Sequence, residues 1–302
     1  MSEPPPAPPA PAAAPTGVIH DIGYRHYQGR RLGRGHALAA LTGHSLRGVF
    51  GLGRPARAKI MPFLLAGIMM LPAAVSIAMM AILKQRGIAY PAYAGIMQAV
   101  LAVFLAAQSP GLVAPDLRFR VLPLYLSRPN STADYVIAKL AAMAAAILLL
   151  LAVPLTTMFV GELLVDLPGP PQTSHYLAAL ATSVLYALLL GSIGVAIASF
   201  TPRRGLGVAA VIAVYLLSSA ISGVLVGVLE SVGRHTAALW AWLINPFFLV
   251  DAVQNWLFDT PSASGDGYPP GIGGPVALLA ALVLIILAVT ALLFRYRKAA
   301  AS

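Results

Sequence analysis

Six stretches of the chain each carry about twenty mostly apolar residues, separated by short polar or Pro/Gly-rich connections: residues 61–83, 93–114, 136–158, 176–199, 206–229 and 272–294. Roughly 20 apolar residues in a helix cross the hydrocarbon core of a bilayer. The pattern therefore predicts an all-α membrane protein with six transmembrane helices. A seventh apolar stretch, ALWAWLINPFFLVDAVQNWLF at residues 238–258, holds Asn245-Pro246, Asp251 and Asn255 and is rich in Trp and Phe. Such a mixture suits short outer helices lying at an interface before the last span. Ahead of the first span, Leu38, Leu41, Leu46, Val49 and Phe50 recur at near-helical spacing, with His44 and Arg47 opposite. This predicts an amphipathic helix on the cytoplasmic interface, either a working elbow or a plain anchor.

Charge fixes the topology. With the N-terminus inside and six crossings, 17 of the 20 basic residues face the cytoplasm, and Lys84, Arg86 and Arg234 alone fall outside. A seventh crossing would carry Arg295, Arg297 and Lys298 to the outer side, against the positive-inside rule. Both ends are thus expected in the cytoplasm, and high Ala, Gly and Arg with few Lys points to a bacterial plasma membrane. Residues 1–35 read as a disordered, basic cytoplasmic arm whose first 16 residues are Pro/Ala-rich and lack the apolar core of a signal peptide. Residues 36–298 read as one six-helix membrane domain, and residues 299–302 as a cytoplasmic tail.

Composition supports the same class. The chain is 59% hydrophobic and 10% charged, and its mean hydropathy is +0.81, far from the usual balance of soluble domains. A net charge of +10 reflects membrane orientation; no basic helix or stacking platform points to nucleic acid. There is no cysteine, which excludes disulfides, thiolate metal sites and a Cys nucleophile.

The spans hold almost nothing that could do chemistry. Lys139 lies near the inner end of the third span, while Glu162 and Asp166 fall just beyond its outer end. Carriers driven by protons place Asp, Glu or His within the membrane, so such coupling is not expected. The P-loop signature is missing, and no Gly-Lys pair occurs anywhere. Gly191-Ser192-Ile193-Gly194 falls short of the Gly-x-Ser-x-Gly elbow and has no His at matching depth. Close helix packing through Gly191 and Gly194 is the expected use. All six histidines fall in loops, the arm or the elbow region, and no metal site is expected. Gly223 and Gly227 form a Gly-x-x-x-Gly pair that serves either a subunit interface or packing within the chain. Pro72, Pro110 and Pro154 sit inside spans one to three, where each can kink its helix.

Three connections stand out. Residues 161–174 and 260–274, rich in Pro, Gly and Ser, read as outer loops. The cytoplasmic loop PDLRFRVLPLYLSRPNSTADYVIAKL, residues 115–140, mixes Arg118, Arg120 and Arg128 with Phe119, Leu122, Leu124, Tyr125 and Leu126. So many large apolar groups on a solvated loop predict a partner surface. A helix restarts near Asn130 to Asp134, with Ser131 or Thr132 as its cap.

Within that loop, LSRPNSTADYVIAKL resembles the pattern Leu-x-Arg-Pro-x-x-x-x-x-Tyr-x-x-x-Lys of permease subunits in the type-2 ABC exporter superfamily. IHDIGYRHYQGRRLGR, Thr201-Pro202-Arg203-Arg204 and Asn245-Pro246 are similar to bacterial members, and the likeness covers roughly residues 18–298. The resemblance implies an efflux permease that is itself no enzyme, working beside a second copy or a paralogue. It also implies two separate ATP-binding subunits that hold ATP and Mg. By the same resemblance, residues 116–128 form the helix that couples to the ATPase, and residues 37–50 the elbow helix. Asp116, Arg118, Phe119, Arg120, Tyr125, Arg128, Asp134 and Lys139 are then the coupling residues. An integral-membrane enzyme and a membrane scaffold without transport remain the rival readings of the residues alone.

Overall fold

The structure, a computed structural model, describes residue 29 and residues 32–119, 124–125, 131–165, 167–201, 203–265 and 267–301. The expected tail at residues 1–16, most of the basic arm, Arg120, Leu122, Leu126, Arg128, Asp166 and Pro202 lie outside the described residues. From residue 33 onward the chain forms one compact unit, entirely helical among the described residues.

Six long helices are apolar enough to cross a membrane: α2 (Arg57–Leu83), α4 (Gln98–Arg118), α5 (Thr132–Leu164), α6 (Thr173–Phe200), α7 (Arg204–Ser231) and α10 (Gly273–Ala301). Short elements complete the order. The helix α1 (Arg34–Val49) precedes α2, and a 3-10 turn at Tyr90–Ala92 with α3 (Tyr93–Ile96) leads into α4. The second crossing therefore starts with a break at Met97, where φ is −89° and ψ is 9°, rather than running straight from Tyr93. Between α7 and α10 lie α8 (His235–Ala241), a 3-10 turn at Trp242–Ile244, and α9 (Pro246–Phe258).

The α8–α9 stretch bends by 114° at Asn245. The bend is encoded locally. Asn245 accepts the Phe247 N–H at 2.9 Å, and Pro246 occupies the first helical position, where its missing N–H costs nothing. The short helices before the last span are thus present. Leu249, Val250, Ala252 and Val253 of α9 are fully enclosed by protein, packing against α6 and α10.

Burial divides the crossings into two classes. In α4, α5 and α6 between 50% and 61% of the apolar window is buried; in α2, α7 and α10 the share is 22–28%. The first three form the centre, and the last three present apolar faces outward. At 33 residues, α5 is about 50 Å long and overruns the hydrocarbon core at both ends. Close approach at the centre uses glycine. A Cβ on Gly194 of α6 would lie 2.9 Å from Ser109 Oγ and 3.2 Å from Leu105 Cδ2 of α4, and Gly191 backs onto Met143 and Ile147 of α5.

The turn from α1 to α2 depends on two glycines with positive φ, Gly51 at 67° and Gly53 at 82°. They differ in surroundings. A Cβ on Gly51 would lie 2.5 Å from the Ala58 carbonyl oxygen, whereas one on Gly53 meets nothing within 4 Å. Gly51→Ala is expected to cost about 1–3 kcal/mol from backbone strain alone, with the clash added. Gly53→Ala carries the strain alone, so thermal unfolding in detergent should show a visibly smaller drop in Tm.

Candidate functional site

The helix ends that carry most of the basic residues meet at one side of the bundle: α1, the starts of α2, α5 and α7, and the ends of α4, α6 and α10. Two polar knots organise this end, and both lie on the first turns of α5.

The first begins at its N-cap. Ser131 has extended backbone dihedrals, and its hydroxyl accepts the Asp134 N–H at 3.2 Å. Asp134 returns the favour by accepting the Ser131 N–H at 2.8 Å, a capping box with Asp at the third position. Arg34, the first residue of α1, then clasps Asp134 with two N–H donors, each at 2.8 Å. A helix start and a partner one hundred positions earlier are thereby tied. Because Asp134 precedes the hydrocarbon-crossing part of α5, its ionisation responds to these contacts. The Arg34 hydrogen bonds, then that of the Ser131 backbone, hold its carboxyl well below the usual carboxylate range.

The second knot lies slightly deeper. Lys139 Nζ reaches Asp116 Oδ2 at 2.9 Å, with side chains only 9% and 15% exposed. The Tyr135 hydroxyl donates to the same carboxylate oxygen. Asp116 ends α4, while Tyr135 and Lys139 sit one turn apart on one face of α5. The Tyr135 ring also lies between Tyr125 of the following loop and Tyr296 of α10, with centroids 5.5 Å and 5.1 Å away. One carboxylate thus joins two crossings, and the tyrosines add a third crossing and the loop.

The loop's remaining described residues point elsewhere. Phe119 is 68% exposed and Leu124 71% exposed. The Arg118 guanidinium carbon lies 5.6 Å from the centre of the Phe119 ring, within cation–π range. An apolar pair beside a cation, beyond the ends of the crossings, is a surface suited to a protein partner. The α1 helix does not present its apolar face to lipid. Leu41 and Val49 are buried, with Leu38, Leu46 and Phe50 packed against the same core. Phe50 meets Phe63 of α2 and Phe104 of α4, both at 6.2 Å. His44 and Arg47 lie on its exposed side.

Several contacts escaped the sequence reading. Ser131-x-x-Asp134 has capping-box spacing and was open to detection. The Arg34 clasp and the tyrosine ladder join segments far apart in the chain, and no local pattern marks them. Elsewhere, Ser192 donates its hydroxyl to the Leu189 carbonyl at 2.9 Å inside α6, which gives it no base to activate it. Gly223 and Gly227 stand apart from Gly191 and Gly194: a Cβ at either would meet nothing within 4 Å. Nothing among the described residues packs on them.

Compared with known families, residues 60–300 match the model described as ABC-2 family transporter protein. The match takes in the crossings from residue 60 onward and the Asp116–Lys139 knot, and it begins after Arg34. No curated protein matches the chain.

Two outcomes check the knots. Lys139→Met leaves Asp116 charged with only the Tyr135 hydroxyl, so it is expected to fall toward the lower end of the about 3–5 kcal/mol seen when one member of a buried pair is lost. Asp116→Asn combined with Lys139→Met should unfold at a higher temperature than Lys139→Met alone. For Asp134, a lowered folded-state pKa contributes stability that is complete above the unfolded value of about 4 and fades as the pH falls through the folded value. The Tm gap between the parent and Asp134→Asn should therefore stay level down to about pH 5 and narrow below about pH 4.

Proposed function

The chain belongs to the ABC-2 family of transporter proteins, and from that premise we propose that it is the permease of an ATP-driven exporter. It is a multi-pass membrane protein of the type that partners an ABC ATP-binding subunit. In the proposed assembly two permease copies, or one copy and a paralogue, form the pathway in a bacterial plasma membrane. Two separate subunits bind ATP and Mg on the cytoplasmic side, where both chain ends also lie. The permease itself catalyses no reaction.

One observation carries the coupling role. The loop that exposes Phe119 and Leu124 leaves α4 just after Asp116 and returns to α5 at Ser131, so its two ends are the two knots. A force on that loop reaches α4 and α5 through Asp116–Lys139 and α1 through Arg34–Asp134, with little slack in either contact. ATP-dependent closure of the partner pair would thus move two central crossings and the α1 elbow together. Arg120 and Arg128 extend the same proposed surface. The second copy is assigned to the exposed face of α7, where Gly223 and Gly227 lie open and Leu216, Leu217 and Val224 face outward. Without a partner among the described residues, such a stripe suits close approach of another helix.

The test is ATP hydrolysis in nanodiscs, by the chain alone and then with its candidate ATPase. Activity is expected only in the co-purified complex. Phe119→Ala with Leu124→Ala should weaken association by at least about tenfold, as loss of a central apolar contact does, while the permease keeps its Tm. A stable permease that retains no ATPase under mild detergent would overturn the reading.

A further inference from the structure

A cavity of about 400 Å³ opens among α1, α4 and the α1–α2 turn, at the basic end of the bundle. Its charge is lopsided. Arg54, Arg57 and Arg204 line it together with the Asp116–Lys139 pair, and that pair already satisfies itself at 2.9 Å. Among the described residues, no carboxylate lies within 4 Å of any of the three arginines; the ion pairs found are Arg34–Asp134, Arg86–Glu162 and Lys139–Asp116. Three arginines line one concavity with no carboxylate of their own among the described residues, so an anion drawn there would relieve their mutual repulsion.

A second feature is independent of the charges. Ser45 lines the same cavity, is 3% exposed, and its buried hydroxyl has no hydrogen-bond partner. A helical serine ordinarily spends its hydroxyl on a carbonyl one turn back, as Ser183 does on Ala179 in α6. An orphaned hydroxyl beside unbalanced guanidinium groups is a donor set for a phosphate, whose oxygens accept several bonds and match the fork of arginine.

Depth and lining narrow the source of that phosphate. Arg57 and Arg204 begin two crossings and Asp116 ends a third, so the cavity lies at the height where a bilayer changes from acyl chains to headgroups. Met61 and Leu112 supply apolar wall on the membrane side. We propose that this cavity holds the phosphate headgroup of an acidic phospholipid, with Arg54, Arg57 and Arg204 as its anion donors and Ser45 as a neutral one. The assignment rests on the membrane placement of the chain and is independent of any ATPase partner.

Native mass spectrometry of the full chain, exchanged into detergent doped with phosphatidylglycerol or phosphatidylcholine, tests it. One phosphatidylglycerol per chain is expected to persist at collision energies that strip phosphatidylcholine. Arg54→Gln with Arg57→Gln should weaken that retention by about tenfold, and Arg297→Gln, on the exposed end of α10, should leave it unchanged. A readout independent of the variants is thermal stability: phosphatidylglycerol should raise the Tm of the parent, and phosphatidylcholine should not. Inorganic phosphate and pyrophosphate form the other arm. Equal protection by these soluble anions with no preference between the lipids would overturn the headgroup assignment. Equal retention of both lipids, unchanged in the double variant, would overturn the proposal as a whole.

Discussion

The carboxylate of Asp116 is the point on which the basic end of this molecule turns. It lies at the end of one crossing, 15% exposed, where an isolated charge would be costly and would favour either solvent or protonation. Lys139 removes that cost from the next crossing at 2.9 Å, and Tyr135 satisfies the carboxylate again from one turn away. A pair of this kind adds little net stability over apolar residues, since desolvation consumes most of the attraction. Its contribution is to geometry. The contact holds the end of α4 against the first turns of α5, which is where the intervening loop begins and ends.

The opposite end repeats the device with different residues. Glu162, in the last turns of α5, has a side chain that is 2% exposed. It accepts from Arg86 at 2.9 Å, from the Tyr90 hydroxyl at 2.6 Å and from the Gln172 N–H at 3.2 Å. These three come from the connections α2–α4 and α5–α6, so this carboxylate gathers the turns at this end of the bundle as Asp116 gathers those at the other. Both sites lie on α5, whose length carries it beyond the apolar slab at each end. The helix is thus held by ionic contacts at both ends and packed against α6 along its length, with Pro154 interrupting its backbone hydrogen bonding between them.

Much of this was legible in the sequence, for physical reasons that can be named. The six crossings were readable because the hydrocarbon core demands long apolar runs, and the short helices before the last one because polar and aromatic residues interrupt the apolar stretch at residues 238–258. Helix limits moved: α5 runs from Thr132 to Leu164 because capping and burial by neighbours extend a helix past its apolar window. The start of α4 moved inward because Tyr90–Ile96 folds as separate short turns. What stayed hidden was every contact between distant segments. Arg34 looked like one more cation of a basic arm, and its role emerged only where α1 lies beside Asp134. Gly191 was read as a packing glycine, and Gly223 as either a subunit contact or packing within the chain. Burial separates them, since Gly191 lies against two neighbours and Gly223 faces open space. A spacing motif names the residue that permits close approach; it does not name the helix that makes it.

Asp116, Lys139 and Tyr125 belong both to the loop knot and to the wall of the basic cavity, and this shared membership has a thermodynamic consequence. An anion held by Arg54, Arg57 and Arg204 sits beside the contact that positions the loop. If the loop moves when an ATPase engages it, the cavity changes shape, and the anion's affinity changes with it. Reciprocity then requires the anion to alter the affinity for the ATPase by the same factor. A lipid that bound both arrangements equally would shift nothing. The cavity is drawn from five helices and includes the α1–α2 turn fixed by Gly51, so its volume is sensitive to small displacements of α1 relative to α4. Equal affinity in two arrangements would require that displacement to leave all three arginines and the Ser45 hydroxyl at unchanged distances from the phosphate. Arg54 and Ser45 ride with α1 and its turn, whereas Arg204 rides with α7, so motion of the α1 elbow must separate them. On the proposed headgroup assignment, lipid composition would enter the coupling energy between loop and crossings through these side chains.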